Sequence, residues 1–218
     1  LSTLAQRNLP AVICGGTGFY IQSLLFSRGL GGVPADENIR REYEKIAEEQ
    51  GRDVLHAMLG AVDAESAAVL HPNDVKRVIR ALEIYRLTGR KKSQQCDGFE
   101  AKRNYIAVAF EYPRATLYAR IERRVDNMLS EGLVEEVENL YRRGIDETFQ
   151  CMQGIGYKEV LEYLQNRISY STMSDMIKQN TRRYAKRQIT FFKKLPNLLW
   201  LDPEESNIEK IERLLDEY

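Results

Sequence analysis

A glycine-rich turn near the start of the chain could hold an anion or the polar edge of a substrate. The turn Gly15–Gly18 lies between an apolar segment, Pro10–Cys14, and a helical pattern that begins at Phe19. Backbone N–H groups converge at such a turn with a helix N-terminus, which favours negative charge. The turn lacks the Gly-Lys-Ser/Thr ending of a nucleotide-binding P-loop, so glycines that only allow tight packing are an equally good interpretation. Thr17 is the side chain of the turn that could position a substrate.

A run of cations on one predicted helix could bind a polyanion. The helix predicted over 172–194 carries Lys178, Arg182, Arg183, Lys186, Arg187, Lys193 and Lys194. No acidic residue lies between Asp175 and Asp202. Like charges four residues apart, such as Arg182 and Lys186, destabilise a helix by roughly 0.2–0.5 kcal/mol per pair. The pattern therefore favours a nucleic-acid or phosphate ligand, with a solvated surface helix as the alternative.

Two smaller basic pairs have a spacing that suits contact with phosphate. Lys76 and Arg80 lie one turn apart on a predicted helix, and Arg120 and Arg124 have the same spacing on another. Guanidinium forks match phosphate oxygens, so the second pair could clamp a diphosphate. An ordinary surface is the alternative for the first pair, and ion pairing is the alternative for the second. The carboxylates near the second pair are Glu122, Glu135 and Glu136.

Composition narrows the class of protein. The 218 residues suit one or two domains, and Lys+Arg and Asp+Glu both number 32, so any affinity for nucleic acid must come from local charge. Cys14, Cys96 and Cys151 are widely spaced and form no CxxC pair, which argues against a disulfide framework or zinc site and favours a reducing cytosol. We expect them to be small core residues, and His56 and His71 to be structural. No apolar run approaches the roughly 20 residues that cross a bilayer, so no membrane partner is expected.

Hydrophobic periodicity predicts a mixed α/β framework behind these residues. Pro10–Cys14 predicts a strand buried on both faces, which suggests further strands upstream. Residues 36–90 have only helical patterns, whereas Tyr105–Phe110 and Leu198–Asp202 predict strands with helices between them. Aspartates are placed to cap four of the early helices, namely Asp36, Asp53, Asp63 and Asp74.

Six segments together resemble the tRNA dimethylallyltransferase (isopentenyl-tRNA transferase) family over nearly the whole chain. They are Gly15–Tyr20, His71–Asp74 followed by Arg77 and Arg80–Glu83, Tyr118–Val125, Gly132–Val137, Gly154–Lys158 and Thr181–Thr190. Their order and spacing are those of the family, which makes the set specific. The resemblance implies a P-loop-kinase-like α/β core with a parallel sheet whose N-terminal strands are absent, interrupted by an all-helical tRNA-binding domain. The expected core is 1–35 with 102–218, and the expected insertion is 36–101.

The resemblance also implies an activity. The family transfers a dimethylallyl group from dimethylallyl diphosphate to the exocyclic amine of the adenine next to the anticodon in tRNA. The expected partners are therefore the tRNA anticodon stem-loop and dimethylallyl diphosphate, for a cytoplasmic monomer with Mg²⁺ as cofactor. The P-loop, the general base and the metal ligands are expected upstream, so this chain alone is predicted to be inactive.

Site residues follow from the resemblance position by position. Contact with tRNA is expected at Thr17, Arg40, Lys76, Arg77, Arg80, Gln153, Gly156, Tyr157, Lys158, Lys186, Arg187, Gln188 and Lys193. Thr17 is also expected to position the adenine, which must leave the base stack to react. Arg120 and Arg124 are the expected diphosphate contacts.

Two other interpretations stay open. A non-catalytic RNA-binding module would account for the basic helix and for the missing P-loop. A fragment of a P-loop small-molecule kinase would account for the expected core, although it would leave the basic helices unexplained.

Overall fold

The computed structural model describes residues 1–26, 33–94, 101, 104–205 and 207–216. Contacts between Cα atoms divide the chain into two compact units. We call Leu1–Gly18 with Ile106–Tyr218 the sheet unit, and Phe19–Tyr105 the helical unit. The first boundary between the units lies after Gly18, whereas the sequence places it after residue 35. The helical insertion over 36–101 stays a prediction.

The described residues form eleven α-helices and two β-strands. In chain order they are α1 (Ser2–Gln6), α2 (Gly18–Leu25), α3 (Glu37–Glu49), α4 (Arg52–Val62), α5 (Ala64–Val69), α6 (Val75–Thr88), β1 (Ala107–Phe110), α7 (Arg114–Ser130), α8 (Leu133–Arg142), α9 (Tyr157–Leu164), α10 (Tyr170–Phe192), β2 (Leu198–Leu201) and α11 (Ile208–Asp216). Two short 3-10 helices lie at Lys92–Gln94 and Gln150–Gln153. None of the helices in the described part of the chain combines the length and the apolarity that a bilayer span requires.

The helical unit is built around the apolar faces of α3, α4 and α6. Its core consists of Ile39, Tyr43, Leu55, Leu59, Val78, Ile79, Ala81 and Leu82. Complete burial of one such side chain contributes about 1.5–3 kcal/mol, so this cluster is the main source of the unit's stability. The stripe of α3 that the sequence predicts, Ile39 and Tyr43 with Ile46 and Ala47, packs into this core and is confirmed.

Two of the four predicted aspartate caps in this unit are confirmed. The Asp36 carboxylate accepts hydrogen bonds from the N–H groups of Asn38 and Ile39, and Asp63 accepts from the N–H of Ser66. Asp53, by contrast, does not cap α4, because the chain turns earlier, at Gly51 with φ of 99°. A side chain would be strained at that φ, so the glycine fixes the start of the helix and Asp53 lies in its first turn. Asp74 occupies the N-cap position of α6, but its side chain makes no capping hydrogen bond and pairs with Arg77 instead.

The sheet unit combines a small parallel sheet with packed helices. Strands β1 and β2 pair in parallel, with Ala107 opposite Leu198 and Phe110 opposite Leu201, so both predicted strands are confirmed. Helices α7 to α10 share a second core, formed by Val125, Leu133, Val137, Met152, Val160, Leu161, Met173 and Ile177. The predicted mixed α/β class is therefore confirmed at the level of a mostly helical fold with a parallel pair of strands.

The prediction of a buried strand at Pro10–Cys14 is wrong. The segment has no regular secondary structure, and Val12 is 92% exposed. A strand needs a neighbour to satisfy its N–H and C=O groups, and in the described residues β1 and β2 pair only with each other. Apolar sequence alone therefore did not fix the conformation of this segment.

The prediction that the cysteines are core residues is wrong for the two that the structure describes. Cys14 and Cys151 are exposed free thiols and not core residues, while Cys96 lies outside the described residues. His56 is structural as predicted, because its Nε2 lies 3.1 Å from the carbonyl oxygen of Ala67 and 2.8 Å from that of Leu70.

Candidate nucleic-acid interface

The glycine turn of the sheet unit packs directly against α10. The side-chain amide of Gln188 donates to the carbonyl oxygen of Gly16 over 2.8 Å. A Cβ atom on Gly16 would lie 2.3 Å from the same amide nitrogen, and one on Gly18 would lie 2.2 Å from a ring carbon of Phe191. The packing interpretation of both glycines is therefore correct. Thr17, between them, is exposed and makes no hydrogen bond within the described residues, so its hydroxyl is available beside α10.

The C-terminal half of α10 and the two residues after it present unpaired cations. Lys186, Lys193 and Lys194 are exposed and form no ion pair in the part of the chain that the structure describes. The Arg187 guanidinium lies 5.7 Å from the ring centroid of Tyr184, which holds it by a cation–π contact without neutralising it. The cations on this half of the helix therefore keep their full positive charge available for a ligand.

The first cations of the basic run form ion pairs with carboxylates of α7, which the sequence did not indicate. Lys178 pairs with Asp126 at 2.6 Å, and Arg182 pairs with Glu122 at 2.9 Å. Arg182 also lies over the ring of Tyr118, at 5.8 Å from the centroid. These contacts attach α10 to α7, so the predicted polyanion surface begins beyond Arg182.

A buried carboxylate connects α10 to the start of α9. Glu159 is 2% exposed and accepts hydrogen bonds from the N–H of Gly156 at 2.8 Å and from the amide of Asn180 at 2.7 Å. Arg183 in turn donates to the Asn180 oxygen at 3.3 Å. Gly156 has φ of 99°, which a side chain would strain, so the network holds a backbone conformation that requires glycine.

The other residues of the segment 153–158 that are predicted to contact tRNA differ in what holds their side chains. Gln153 donates to the carbonyl oxygen of Glu147 at 2.6 Å, which fixes its side chain to the preceding loop. The Tyr157 hydroxyl donates to Glu136, and this bond, with burial, raises the pKa of Tyr157. Lys158 is exposed and forms no ion pair with any described residue.

Arginines of α7 line an open cavity of about 650 Å³. Arg120 and Arg124 lie in its wall together with the apolar side chains of Leu117, Ile121 and Met128. The predicted alternative of ion pairs with neighbouring glutamates is wrong for both arginines, since neither forms one within the described residues. Arg120 instead stacks over the ring of Tyr112, at 4.8 Å from the centroid, which leaves its fork of donors free.

Two predicted cations of the helical unit are held by a carboxylate that has no exposed surface. Glu83 accepts from Nε of Arg40 at 3.0 Å, from Nη2 of Arg40 at 3.3 Å and from Nη1 of Arg80. The N–H of Asp36 donates to the same carboxylate at 2.8 Å, and Arg80 also donates to the carbonyl oxygen of Val33 at 2.7 Å. Burial opposes ionisation of Glu83, but the hydrogen bonds outweigh it and hold its pKa below the usual range. The bond with Glu83 likewise raises the pKa of Arg40.

The remaining cations of α6 are more exposed. Arg77 pairs with Asp74 at 3.3 Å, with 75% of its side chain exposed, and such a pair is easily exchanged for another anion. Lys76 is exposed and forms no ion pair with any described residue.

The sequence did not single out Glu83, Glu159 or Asn180 as site-organising residues. A signal existed for Glu83, since it is the one carboxylate among the apolar positions of α6 and it follows Arg80 by one turn. For Glu159 and Asn180 the partners come from different helices, so no local pattern marks them. The described residues contain no group of three or more His, Cys, Asp or Glu side chains that could hold a metal ion.

Comparison with known proteins places these features in a family. The family model for IPP transferase matches residues 1–195. A tRNA dimethylallyltransferase of Geobacillus thermodenitrificans is 43% identical over 204 residues, covering 93% of this chain and 64% of that protein. One from Geobacillus kaustophilus is 40% identical over 220 residues, covering 98% of this chain and 70% of that protein. The chain thus spans 64% to 70% of the length of these two relatives.

Solved structures agree with the sequence comparison. A tRNA isopentenylpyrophosphate transferase from Bacillus halodurans matches with a TM-score of 0.63 and 38% identity, over 99% of this chain and 67% of that chain. A eukaryotic dimethylallyltransferase acting on tRNA matches with a TM-score of 0.72 and 28% identity, over 98% of this chain and 57% of that chain. Because the family model covers most of the sequence and the two relatives share 40–43% of its residues over nearly its whole length, the chain belongs to the IPP transferase family.

Proposed function

We propose that this chain is the tRNA-binding and substrate-positioning part of a tRNA dimethylallyltransferase. The whole enzyme would transfer a dimethylallyl group from dimethylallyl diphosphate to the exocyclic amine of the adenine next to the anticodon. The observation that carries the proposal is the packing of the glycine turn on α10. The bond from Gln188 to Gly16 puts the free Thr17 hydroxyl beside a helix whose outer cations, including Lys186 and Arg187, have no partner of opposite charge in the described residues.

The anticodon stem-loop of tRNA is the ligand that suits these cations. RNA phosphates release counterions when Lys or Arg binds them, which supplies affinity without any net charge on the protein. In the sheet unit the proposed contacts are Thr17, Gln153, Gly156, Tyr157, Lys158, Lys186, Arg187, Gln188 and Lys193. In the helical unit they are Arg40, Lys76, Arg77 and Arg80, on the segment expected to grip the stem-loop.

The α7 cavity is the proposed site for the diphosphate of the prenyl donor. Arg120 and Arg124 supply guanidinium donors, while Leu117 and Ile121 supply apolar wall suited to a hydrocarbon chain. The allylic carbon becomes electrophilic as the diphosphate leaves, so donors aimed at the leaving group lower the barrier. The amine also has to lose a proton to a general base.

A P-loop-like core with further strands and Mg²⁺ belong to the same proposal for the whole enzyme. The described residues do not fit a metal, because they form no cluster of three or more ligating side chains. A cytosolic location and a monomeric state are likewise proposed.

Replacement of Thr17 by valine tests the proposal. Valine keeps the shape and removes the hydroxyl, and loss of substrate alignment can lower a rate by about a hundredfold. We expect Thr17→Val in the full-length natural protein to slow single-turnover transfer to an anticodon stem-loop. The melting temperature should hardly change, since Thr17 makes no hydrogen bond within the described residues.

The control is Thr190→Val on the outer face of α10, where the hydroxyl donates to the carbonyl oxygen of Lys186 at 2.9 Å within the helix. Transfer at the wild-type rate by Thr17→Val would leave the glycine turn with a packing role only. Tight RNA binding by a full-length wild-type protein that transfers no prenyl group would favour the non-catalytic RNA-binding module instead.

A further inference from the structure

The cluster around Glu83 carries an excess of positive charge at a partly buried position. Two arginines, Arg40 and Arg80, share one carboxylate, and their side chains are 33% and 27% exposed. Glu37 also pairs with Arg40, at 3.3 Å, but its side chain is 67% exposed, and solvent screens such a pair. The cluster is therefore short of one well-held negative charge.

The geometry fixes both guanidinium groups against one another. Oε2 of Glu83 accepts from Nη2 of Arg40 and from Nη1 of Arg80, so the two forks meet at a single oxygen. Glu83 accepts four hydrogen bonds in all, which fills the roughly four lone-pair sites of a carboxylate. Each guanidinium has five N–H donors, so both arginines keep donors that no described group accepts.

We propose that Glu83 is a positioning residue that locks Arg40 and Arg80 into one clamp for a backbone phosphate of the RNA. This inference rests on the proposed tRNA-binding function and adds a residue that contacts no ligand itself. A phosphodiester supplies the missing negative charge and offers oxygens that match the fork geometry of both guanidinium groups. Arginines oriented in advance lose less rotamer freedom when they bind.

A matched pair of substitutions separates positioning from charge. Glu42 lies on α3 and accepts from Arg86 of α6 at 2.7 Å, so it bridges the same two helices as Glu83, but on the exposed surface. Glu83→Gln and Glu42→Gln change the net charge equally. The measurement is fluorescence anisotropy of a labelled anticodon stem-loop RNA at several salt concentrations.

We expect Glu83→Gln to weaken RNA binding about tenfold at fixed salt and to lower the slope of log K against log salt by about one unit, the loss of one phosphate contact. Glu42→Gln should change affinity by less than about twofold, as is usual for an exposed ion pair. If Glu83 only neutralised the arginines, its removal would free them and tighten binding. Unchanged or tighter binding by Glu83→Gln overturns the inference.

A second pair of variants tests the inference even if Glu83→Gln fails to fold. Arg40→Lys keeps the charge but loses the fork, and Arg86→Lys makes the same change at the exposed pair. We expect Arg40→Lys to lose about fivefold in affinity with nearly the same salt slope, and Arg86→Lys to bind as wild type. Equal affinities for the two lysine variants overturn the inference. Absence of RNA binding by the wild-type chain itself overturns the proposed function, and the inference with it.

Discussion

The helical unit ties two of its three predicted RNA-binding arginines to a buried carboxylate, whereas the sheet unit leaves cations at the end of its basic run free on the surface. Arg40 and Arg80 meet at Glu83, which has no exposed surface. Lys186 and Arg187 have no acidic partner among the described residues. The buried carboxylate of the sheet unit, Glu159, is satisfied by neutral N–H groups and not by cations.

The contrast indicates two ways of preparing a surface for a polyanion. Free lysines and arginines supply long-range attraction that depends strongly on salt. Arginines held by a carboxylate give up part of that attraction but are fixed in geometry. We therefore expect the sheet unit to govern the salt dependence of RNA binding and the helical unit to govern its geometry.

The largest expected effect is on the stability of the helical unit, through Asp63. Burial opposes ionisation of Asp63, but hydrogen bonds from Ser66 and Ser93 outweigh it and hold its pKa at about 2. Its stabilising contribution is therefore complete above the ordinary pKa of 3.8 and is lost as the pH falls from there towards 2. Asp63→Asn should lower the free energy of unfolding at pH 7 by about 2 kcal/mol and make the acid limb of stability shallower.

Denaturant titration at pH 7 and at acid pH measures this effect. The matched change in the sheet unit is Asp146→Asn, which removes a partly exposed carboxylate whose pKa is lowered by hydrogen bonds from Thr148. A smaller loss is expected there, because solvent replaces those bonds. An identical acid limb in Asp63→Asn and the wild type would contradict the stabilising role of the buried Asp63 carboxylate and remove its contrast with Asp146.

The next effect concerns the free cations of α10. Replacing Lys186 and Arg187 together by alanine should flatten the slope of log K against log salt by about two units, which over a fourfold range of salt corresponds to about sixteenfold in affinity. Replacing Lys178 and Arg182 removes the same charge from the same helix, but these two are already paired with Asp126 and Glu122. The control should change the slope by less than about one unit. Equal slopes for the two double variants would remove the distinction between free and paired cations.

The smallest effect compares a glycine from each unit. Gly18→Ala would drive a methyl group into the ring of Phe191 and should destabilise the sheet unit by about 1 kcal/mol, because that ring is only partly buried and can move. Gly60 lies within α4, where the nearest atom to an added Cβ is that of Ala67 at 3.9 Å. Gly60→Ala should stabilise the helical unit by about 0.5–1 kcal/mol. Thermal melts of the two variants test whether tight contact with α10 is the reason for Gly18, since stabilisation by both changes would contradict it.

Local chemistry made much of the framework predictable. The cap at Asp36, the cap at Asp63 and the stripe through Ile39 and Tyr43 all depend on residues a few positions apart. The failure at Pro10–Cys14 has the opposite cause, because whether an apolar segment forms a strand depends on partners elsewhere in the chain.

The candidate site was predictable as a set of residue types but not as a set of contacts. Spacing identified the cations of α10. The ion pairs of Lys178 with Asp126 and of Arg182 with Glu122, however, depend on how α10 packs against α7. The role of Glu83 depends in the same way on the approach of α3 to α6. Periodicity predicts which face of a helix is apolar, whereas the element that packs against the helix depends on the tertiary fold.

The pairing of β1 with β2 has a consequence for the order of folding. Ala107 meets Leu198 in a parallel register, and the Gly16 carbonyl meets Gln188, so the sheet unit joins distant parts of the chain. Such contacts have a high contact order, and the entropy of closing their loops slows their formation. The helical unit uses neighbours in sequence, and we expect it to fold first. Pulsed hydrogen exchange during refolding should therefore protect amides of α6 before those of β1, and simultaneous protection would contradict this order.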